Sequence, residues 1–272
     1  MIQNMMSVDL EDYYCDLPFS TWNRYSSRVV ETTRNLLDLF GKFNVTATFF
    51  TVGYIAEKFP ELIEEVRVKG HEISSHSYSH LDLRNTNPHD FEQDFVRSLS
   101  TLKKISGEKV LGFRAPYFSI NSHNLWVFDV MKKYIKYDSS IFPARFHYKL
   151  SRAPRHLYRM SANHPLKEDT ASNFIEIPMT TIRLPVLGNI PMAGGIYMRF
   201  LAPGILKKAI ERFNKKNLPA IFYVHPRDLD PFTPHISTYP WHSYWGLAGA
   251  YRKLESIIRA FKFSSIRDVM SL

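Results

Sequence analysis

Cysteine is almost missing from this chain of 272 residues, and Cys15 is its only representative. A single thiol excludes an internal disulfide and any zinc site built from several cysteines. No apolar run approaches the roughly 18 residues that a membrane-spanning helix needs. The opening "MIQNMMSVDL" lacks a basic start followed by an apolar stretch long enough for export, so a cytoplasmic location is expected. Lys and Arg total 35 against 26 Asp and Glu, yet no block of about five or six consecutive cations occurs. That argues against a basic tail and a specific nucleic-acid partner. The dispersed net charge of +9 reads first as a solvated face, and it is compatible with peripheral contact to an anionic membrane. Repeats and low-complexity stretches are also missing.

What is present suits a soluble domain with a sizeable core: 44% hydrophobic and 22% charged residues. Aromatics reach 14%; most serve the core, and such rings also line clefts that stack on sugar-like ligands. Short apolar segments alternate with amphipathic ones. "MMSVDL" (5–10), "VTATFFTV" (45–52), "HEISS" (71–75), "VLGF" (110–113), "YIKYD" (134–138), "FIEIP" (174–178) and "PAIFYV" (219–224) read as strands. Helices are expected over 28–43, 60–69, 121–133, 203–217 and 246–261. Another runs from Pro88 to Gly107, with Phe91, Phe95, Leu99 and Leu102 on one stripe. This alternation predicts a parallel α/β fold, either barrel or open sheet.

The chemically capable residues sit just after strands: Asp9, Glu11, His76, Arg114, Asp138 and His225. In a parallel barrel such ends open onto one face, where active sites are built. "SVDLEDYY" (7–14) carries three carboxylates, and alternation along a strand puts Asp9 and Glu11 on one side with Asp12 on the other. "SSHSYSH" (74–80) holds His76 and His80 four residues apart, about one helical turn, so the two imidazoles can share a face. With a neighbouring carboxylate, such a pair is a metal-ligand pattern that leaves a position for water. His71 falls at odd spacing and is expected to be structural or to support the ligands. In "GFRAPYFS" (112–119) Arg114 can hold a carboxylate, and Pro116 stiffens the following turn, which can aim a backbone N–H into a pocket. His225 in "FYVHPRDLDP" is a candidate general acid, with Asp228 and Asp230 either nearby helpers or turn terminators. Asp138 in "YDSS" either orients a histidine or initiates a turn.

Taken in this order, the stretches resemble the polysaccharide deacetylase superfamily, carbohydrate esterase family 4, also called the NodB-homology domain. "VDLED" is similar to the family's acidic motif in a spaced form. "HSYSH" matches His–Ser/Thr–x–x–His, "RAPY" matches Arg–x–Pro–Tyr, "DSS" resembles the looser fourth motif, and "YVH" resembles the fifth. Pro143 stands near the place where the family's fourth motif carries a tryptophan. "VDLEDYY", "YDSSIFP", "AGGIYMRFL" and "HPRDLDP" further resemble a cytoplasmic branch associated with exopolysaccharide synthesis.

The resemblance implies a distorted (β/α)7-type barrel and a single catalytic domain over 1–272, with 226–272 as a family-specific extension. It implies one divalent metal, zinc, on Glu11, His76 and His80, with Asp12 as the competing carboxylate. Asp9, oriented by Arg114, would be the base; His225 would protonate the leaving amine; the Tyr117 N–H would stabilise the oxyanion; Asp138 would assist. The expected reaction is removal of N-acetyl groups from an amino-sugar polymer or oligomer. Alternatives keep the fold and metal but hydrolyse another amide, or bind carbohydrate without turnover. A homo-oligomer is compatible with the sequence, and residues 144–200 are expected to build a wall of the substrate site.

Overall fold

The computed structural model describes residues 2–144, 150 and 152–272. Its strands are β1 Gln3–Leu10, β2 Thr48–Thr51, β3 Glu72–Ser75, β4 Gly112–Phe113, β5 Tyr137–Asp138, β6 Tyr158–Arg159, β7 Ile175–Glu176, β8 Thr181–Leu184, β9 Gly188–Pro191, β10 Ile221–Val224 and β11 Lys262–Ser264. The helices are α1 Val29–Lys42, α2 Gly53–Lys58, α3 Pro60–Val68, α4 Pro88–Ser106, α5 Val127–Met131, α6 Ile196–Phe200, α7 Pro203–Asn214, α8 Leu247–Ile258 and α9 Ile266–Met270.

One curled sheet runs in the order β10-β1-β2-β3-β4-β5-β7-β6, with β11 added to β1. Its pairings are parallel except β6–β7. β2 reads TFFT and is buried along its whole length, as expected for a parallel strand covered on both faces. The chain after β7 links the sheet back to β10. Thr180 Oγ1 accepts from Ile221 N at 2.9 Å and donates to Ile221 O at 2.8 Å. Tyr223 N donates to Ala193 O, and Gly195 N donates to Tyr223 O. Gly194, at φ 114°, permits this approach: a Cβ there would lie 2.0 Å from Tyr223 O. This curled half-barrel is the (β/α) architecture anticipated from the strand–helix alternation.

Local chemistry explains where the elements begin and end. The Asn87 side chain accepts from Asp90 N to start α4, Pro88 sits in its first turn, and Gly107 at φ 70° ends it. The expected stripe of Phe91, Phe95 and Leu102 is buried, and Leu99 packs beside it. The helix expected over 121–133 is shorter, because Asn124 competes for its first turns. Its side chain accepts from Asn121 N and donates to Leu83 O and Ser119 O, holding a turn ahead of α5. The β8–β9 hairpin, β6, β11 and α9 were not anticipated. Within 144–200, residues 145–149 and 151 lie outside the described residues.

Candidate active site

Because β1, β3, β4 and β10 are parallel neighbours or near-neighbours, their C-terminal ends carry Asp9, Glu11, His76, Arg114 and His225 to one place. Asp9, Glu11, His76, Tyr117 and His225 line a cavity of about 180 Å³. Glu11 Oε2 is 2.6 Å from His80 Nε2 and 3.7 Å from His76 Nε2. Candidate ligand atoms of Glu11, His76 and His80 all lie within 4.8 Å of one another, and all three residues are buried.

The two histidines do not share a helical turn. They lie on a loop after β3, where Ser77 (φ 60°) and His80 (φ 55°) adopt left-handed backbone that folds the second ring back beside the first. Each ring is fixed from behind by a main-chain carbonyl: His76 Nδ1 pairs with Arg114 O at 2.8 Å and His80 Nδ1 with Cys15 O at 2.9 Å. A carbonyl only accepts, so each Nδ1 carries a proton and each ring turns its Nε2 toward Glu11. Such backing fixes the tautomer of a ligating imidazole and sets its orientation. Burial alone would raise the Glu11 pKa, but His80 and Arg227 outweigh it and hold the carboxyl well below its usual range.

Asp9 faces the same cavity and is gripped from behind. Arg114 is fully buried; its Nη1 donates to Asp9 Oδ1 at 2.6 Å and to Ser7 Oγ at 3.0 Å. Its Nε and Nη2 donate to Ser139 O and Ser139 Oγ, so the guanidinium has no freedom to follow a moving partner. His225 Nε2 stands 3.8 Å from both Asp9 Oδ2 and Glu11 Oε1. Behind it, Nδ1 donates to Asp228 Oδ2 at 2.7 Å. Asp228 Oδ1 in turn lies 3.0 Å from Arg199 Nε. Burial works against charge on His225, and Asp228 overcomes it, raising the imidazole pKa. Burial also opposes charge on Asp228, but His225 and Arg199 depress its pKa far below the carboxylate range.

Asp12 points elsewhere. It accepts from Ser27 Oγ, from Tyr13 N and from the N–H groups of Arg28 and Val29 at the start of α1. Asp230 pairs with Arg28 through two hydrogen bonds, at 2.5 and 3.0 Å, away from His225. His71 is structural: its Nδ1 accepts from Ala47 N at 3.1 Å, and burial lowers its pKa to about 4. Tyr117 reaches the cavity with left-handed backbone at φ 58°, and its ring packs edge-on against His80 at 4.6 Å. The structure does not bring Asp138 to the cavity lining. Its carboxyl accepts from Ser140 N and Oγ and meets Glu176; burial raises both acids, Asp138 to about 6, so the pair holds a proton between them.

Three contributors escaped the sequence reading. Arg227 Nη2 lies 3.2 Å from Glu11 Oε1, and its Nη1 donates to Asp16 Oδ2 at 2.6 Å. Its only signal was its place in "HPRD". Arg199 is distant in sequence, and its only signal was its place in "AGGIYMRFL". Asp16 joins the lining through Arg227. From the stretch 144–200, Ile196 and Arg199 line a second cavity of about 580 Å³ that shares His225 and Arg227 with the first.

Known proteins resemble this chain in sequence and in fold. A family model described as "Polysaccharide deacetylase" matches residues 18–133, and one described as "Domain of unknown function (DUF3473)" matches 139–271. Residues 18–133 therefore resemble polysaccharide deacetylases. The deacetylase match begins after Asp9 and Glu11 and ends before His225, so the site is assembled from inside and outside it. Over 96 residues the chain is 33% identical to a peptidoglycan-N-acetylglucosamine deacetylase of Bacillus cereus, covering 35% of each chain. Over 100 residues it is 31% identical to a chitooligosaccharide deacetylase of Sinorhizobium fredii, covering 36% of this chain and 44% of that one. The chain thus spans less than half the length of these curated relatives. In fold it matches a putative polysaccharide deacetylase from Mycobacterium smegmatis, with TM-score 0.61 and 17% identity over 98% of this chain and 90% of that one. Among the described residues, no helix is long and apolar enough to cross a membrane.

Proposed function

We propose that this protein is a metal-dependent amide hydrolase that removes N-acetyl groups from an amino-sugar polysaccharide or oligosaccharide. The observation that supports it most is the pair of backbone-anchored imidazoles, His76 and His80, turned on Glu11 beside Asp9 and His225. Glu11, His76 and His80 would hold one divalent ion, and a mixed nitrogen and oxygen donor set suits zinc. When bound, the ion supplies Lewis-acid polarisation of the amide carbonyl and of water.

The chain's own residues supply the rest. Asp9, aimed by Arg114, takes the proton of the attacking water. His225, charged through Asp228, returns a proton to the departing sugar amine. The left-handed turn at Tyr117 offers its N–H to the developing oxyanion. The role expected of Asp138 becomes a positioning one: it holds Ser140, whose Oγ accepts from Ala115 N, one residue after Arg114. We read residues 1–272 as one catalytic domain, because strands from both family-matched stretches share one sheet. A cytoplasmic role in exopolysaccharide synthesis rests on the branch resemblance of "HPRDLDP" and "AGGIYMRFL" and on the lone buried thiol.

The test is acetate release from N-acetylglucosamine oligomers by protein stripped with chelator and then reloaded with zinc. Activity absent after stripping and restored by the ion is the expected result. A reloaded, folded protein that releases no acyl group from any such oligomer overturns the reading.

A further inference from the structure

The second cavity leads from His225 and Arg227 to His242 and Ser243, and these two residues sit between Trp241 and Trp245. Trp241 is 68% exposed, Trp245 56%, and Phe200 beside them 44%. The three rings contact one another: Phe200–Trp241 centroids lie 6.0 Å apart, Trp241–Trp245 5.9 Å, and Phe200–Trp245 6.2 Å at 29° between planes. An exposed aromatic cluster costs solubility and contributes nothing to the core, so its place calls for a ligand.

This cluster is held still. Arg199 Nη1 donates to His242 O, Ser243 O and Trp245 O, at 3.2, 2.8 and 3.0 Å. The same guanidinium faces Asp228, which holds His225. Lys253 Nζ donates to Arg199 O and Leu201 O, fixing the other side. Gly246, at φ 76°, closes the turn against Arg199 O, which a Cβ would approach to 2.9 Å. The rings are therefore preorganised at a fixed offset from the general acid, as a subsite demands and a surface anchor does not.

We propose that Phe200, Trp241 and Trp245 form a stacking shelf for neighbouring sugars of a glycan chain whose N-acetylated unit enters the cavity at His225. The inference rests on the amide-hydrolase reading for that unit and names the substrate as a chain rather than a single sugar. A pyranose ring presents C–H bonds from one face, and their partial positive charge suits the negative face of an indole. His242 and Ser243, which line the cavity and follow Trp241 in sequence, offer polar groups for sugar hydroxyls. A lipid bilayer would take the rings but not these polar groups.

The test compares wild-type protein with W241A/W245A, titrated with N-acetylglucosamine and with its pentamer and followed by calorimetry. Wild type is expected to bind the pentamer more tightly than the monomer. The variant is expected to lose about tenfold in pentamer affinity, the sum of two stacking contacts. W241F/W245F, which keeps flat rings, recovers most of it, and circular dichroism confirms that each variant folds. Equal pentamer affinity in wild type and W241A/W245A overturns the shelf. So does wild type that shows no chain-length preference but sediments with phosphatidylglycerol vesicles. All arms read binding, so the two readings fail separately. Pentamer binding lost in W241A/W245A sustains the shelf even if no acetate is released. Acetate release without chain-length-dependent binding removes the shelf and leaves the hydrolase.

Discussion

Arg114 Nη1 lies 2.6 Å from Asp9 Oδ1, and both side chains are withdrawn from solvent. The pair is far from an ordinary surface salt bridge. Arg114 spends its remaining donors on Ser7 and Ser139, so β1 and the loop after β5 meet on one guanidinium.

Replacing Arg114 by lysine should therefore be severe. A lysine carries the charge but cannot satisfy Asp9, Ser7 and Ser139 together, and Asp9 would be left buried and poorly paired. We expect R114K to lose about 3 kcal/mol or more in urea unfolding, with turnover falling in parallel. Wild-type stability in R114K would show that the guanidinium fork is dispensable.

Asp12 and His80 separate a structural from a ligating role. D12A strips acceptors from three main-chain N–H groups and from Ser27, a loss of about 2 kcal/mol, while its metal content stays at the wild-type level. H80A should fold and fail to retain zinc in metal analysis after dialysis. Metal lost from folded D12A but kept by H80A would transfer the ligand role to Asp12.

In the proposed mechanism Asp228 acts on the substrate only through His225. In D228N the imidazole loses its charged partner and its fixed tautomer, so kcat is expected to fall about a hundredfold or more. KM and bound zinc should change little, because Asp228 lies behind the ring and not in the ligand set. An unchanged kcat would remove His225 from the proton-transfer step.

His71 sets an acid limit on the fold. Its folded pKa is depressed from 6.5 to about 4, by burial first and Lys69 second. The unfolded chain therefore takes up the proton first, and stability falls as pH drops from about 6.5 through about 4. The full effect is up to about 3 kcal/mol, from the gap between the two values. H71N, whose amide oxygen can accept from Ala47 N, should flatten that part of the curve. Unfolding curves of wild type and H71N that remain parallel from pH 7 to pH 4 would contradict it.

How much of this was legible in sequence depended on range. β1, β2, β3, β10 and α4 announced themselves through β-branched runs, a 3.6 period and flanking Pro and Gly. β8 (Thr181–Leu184) and β9 (Gly188–Pro191) are no shorter than β2, but Arg183, Gly188, Asn189 and Pro191 interrupt the apolar run that a strand signal needs. The metal-type trio was visible because Glu11, His76 and His80 each follow a strand. Asp228, Arg227 and Arg199 were obscure for a different reason. They act through charged partners contributed by loops, and nothing in "HPRD" or "IYMRF" says which acid or carbonyl waits across the cavity. Asp138 was drawn toward the site by its strand-end position, yet its carboxyl turns to Glu176.

Among the described residues, eight without a glycine's freedom hold positive φ, and four of them, Ser77, His80, Tyr117 and Phe118, belong to the two loops that frame the cavity. Such backbone costs roughly 1 kcal/mol or more each and persists only while the surroundings enforce it. The framework acts as a clamp, and the loops are springs held under it. On warming, these loops should relax before the sheet melts, so the temperature of half-inactivation falls below the melting temperature. The molecule then loses its chemistry before it loses its shape.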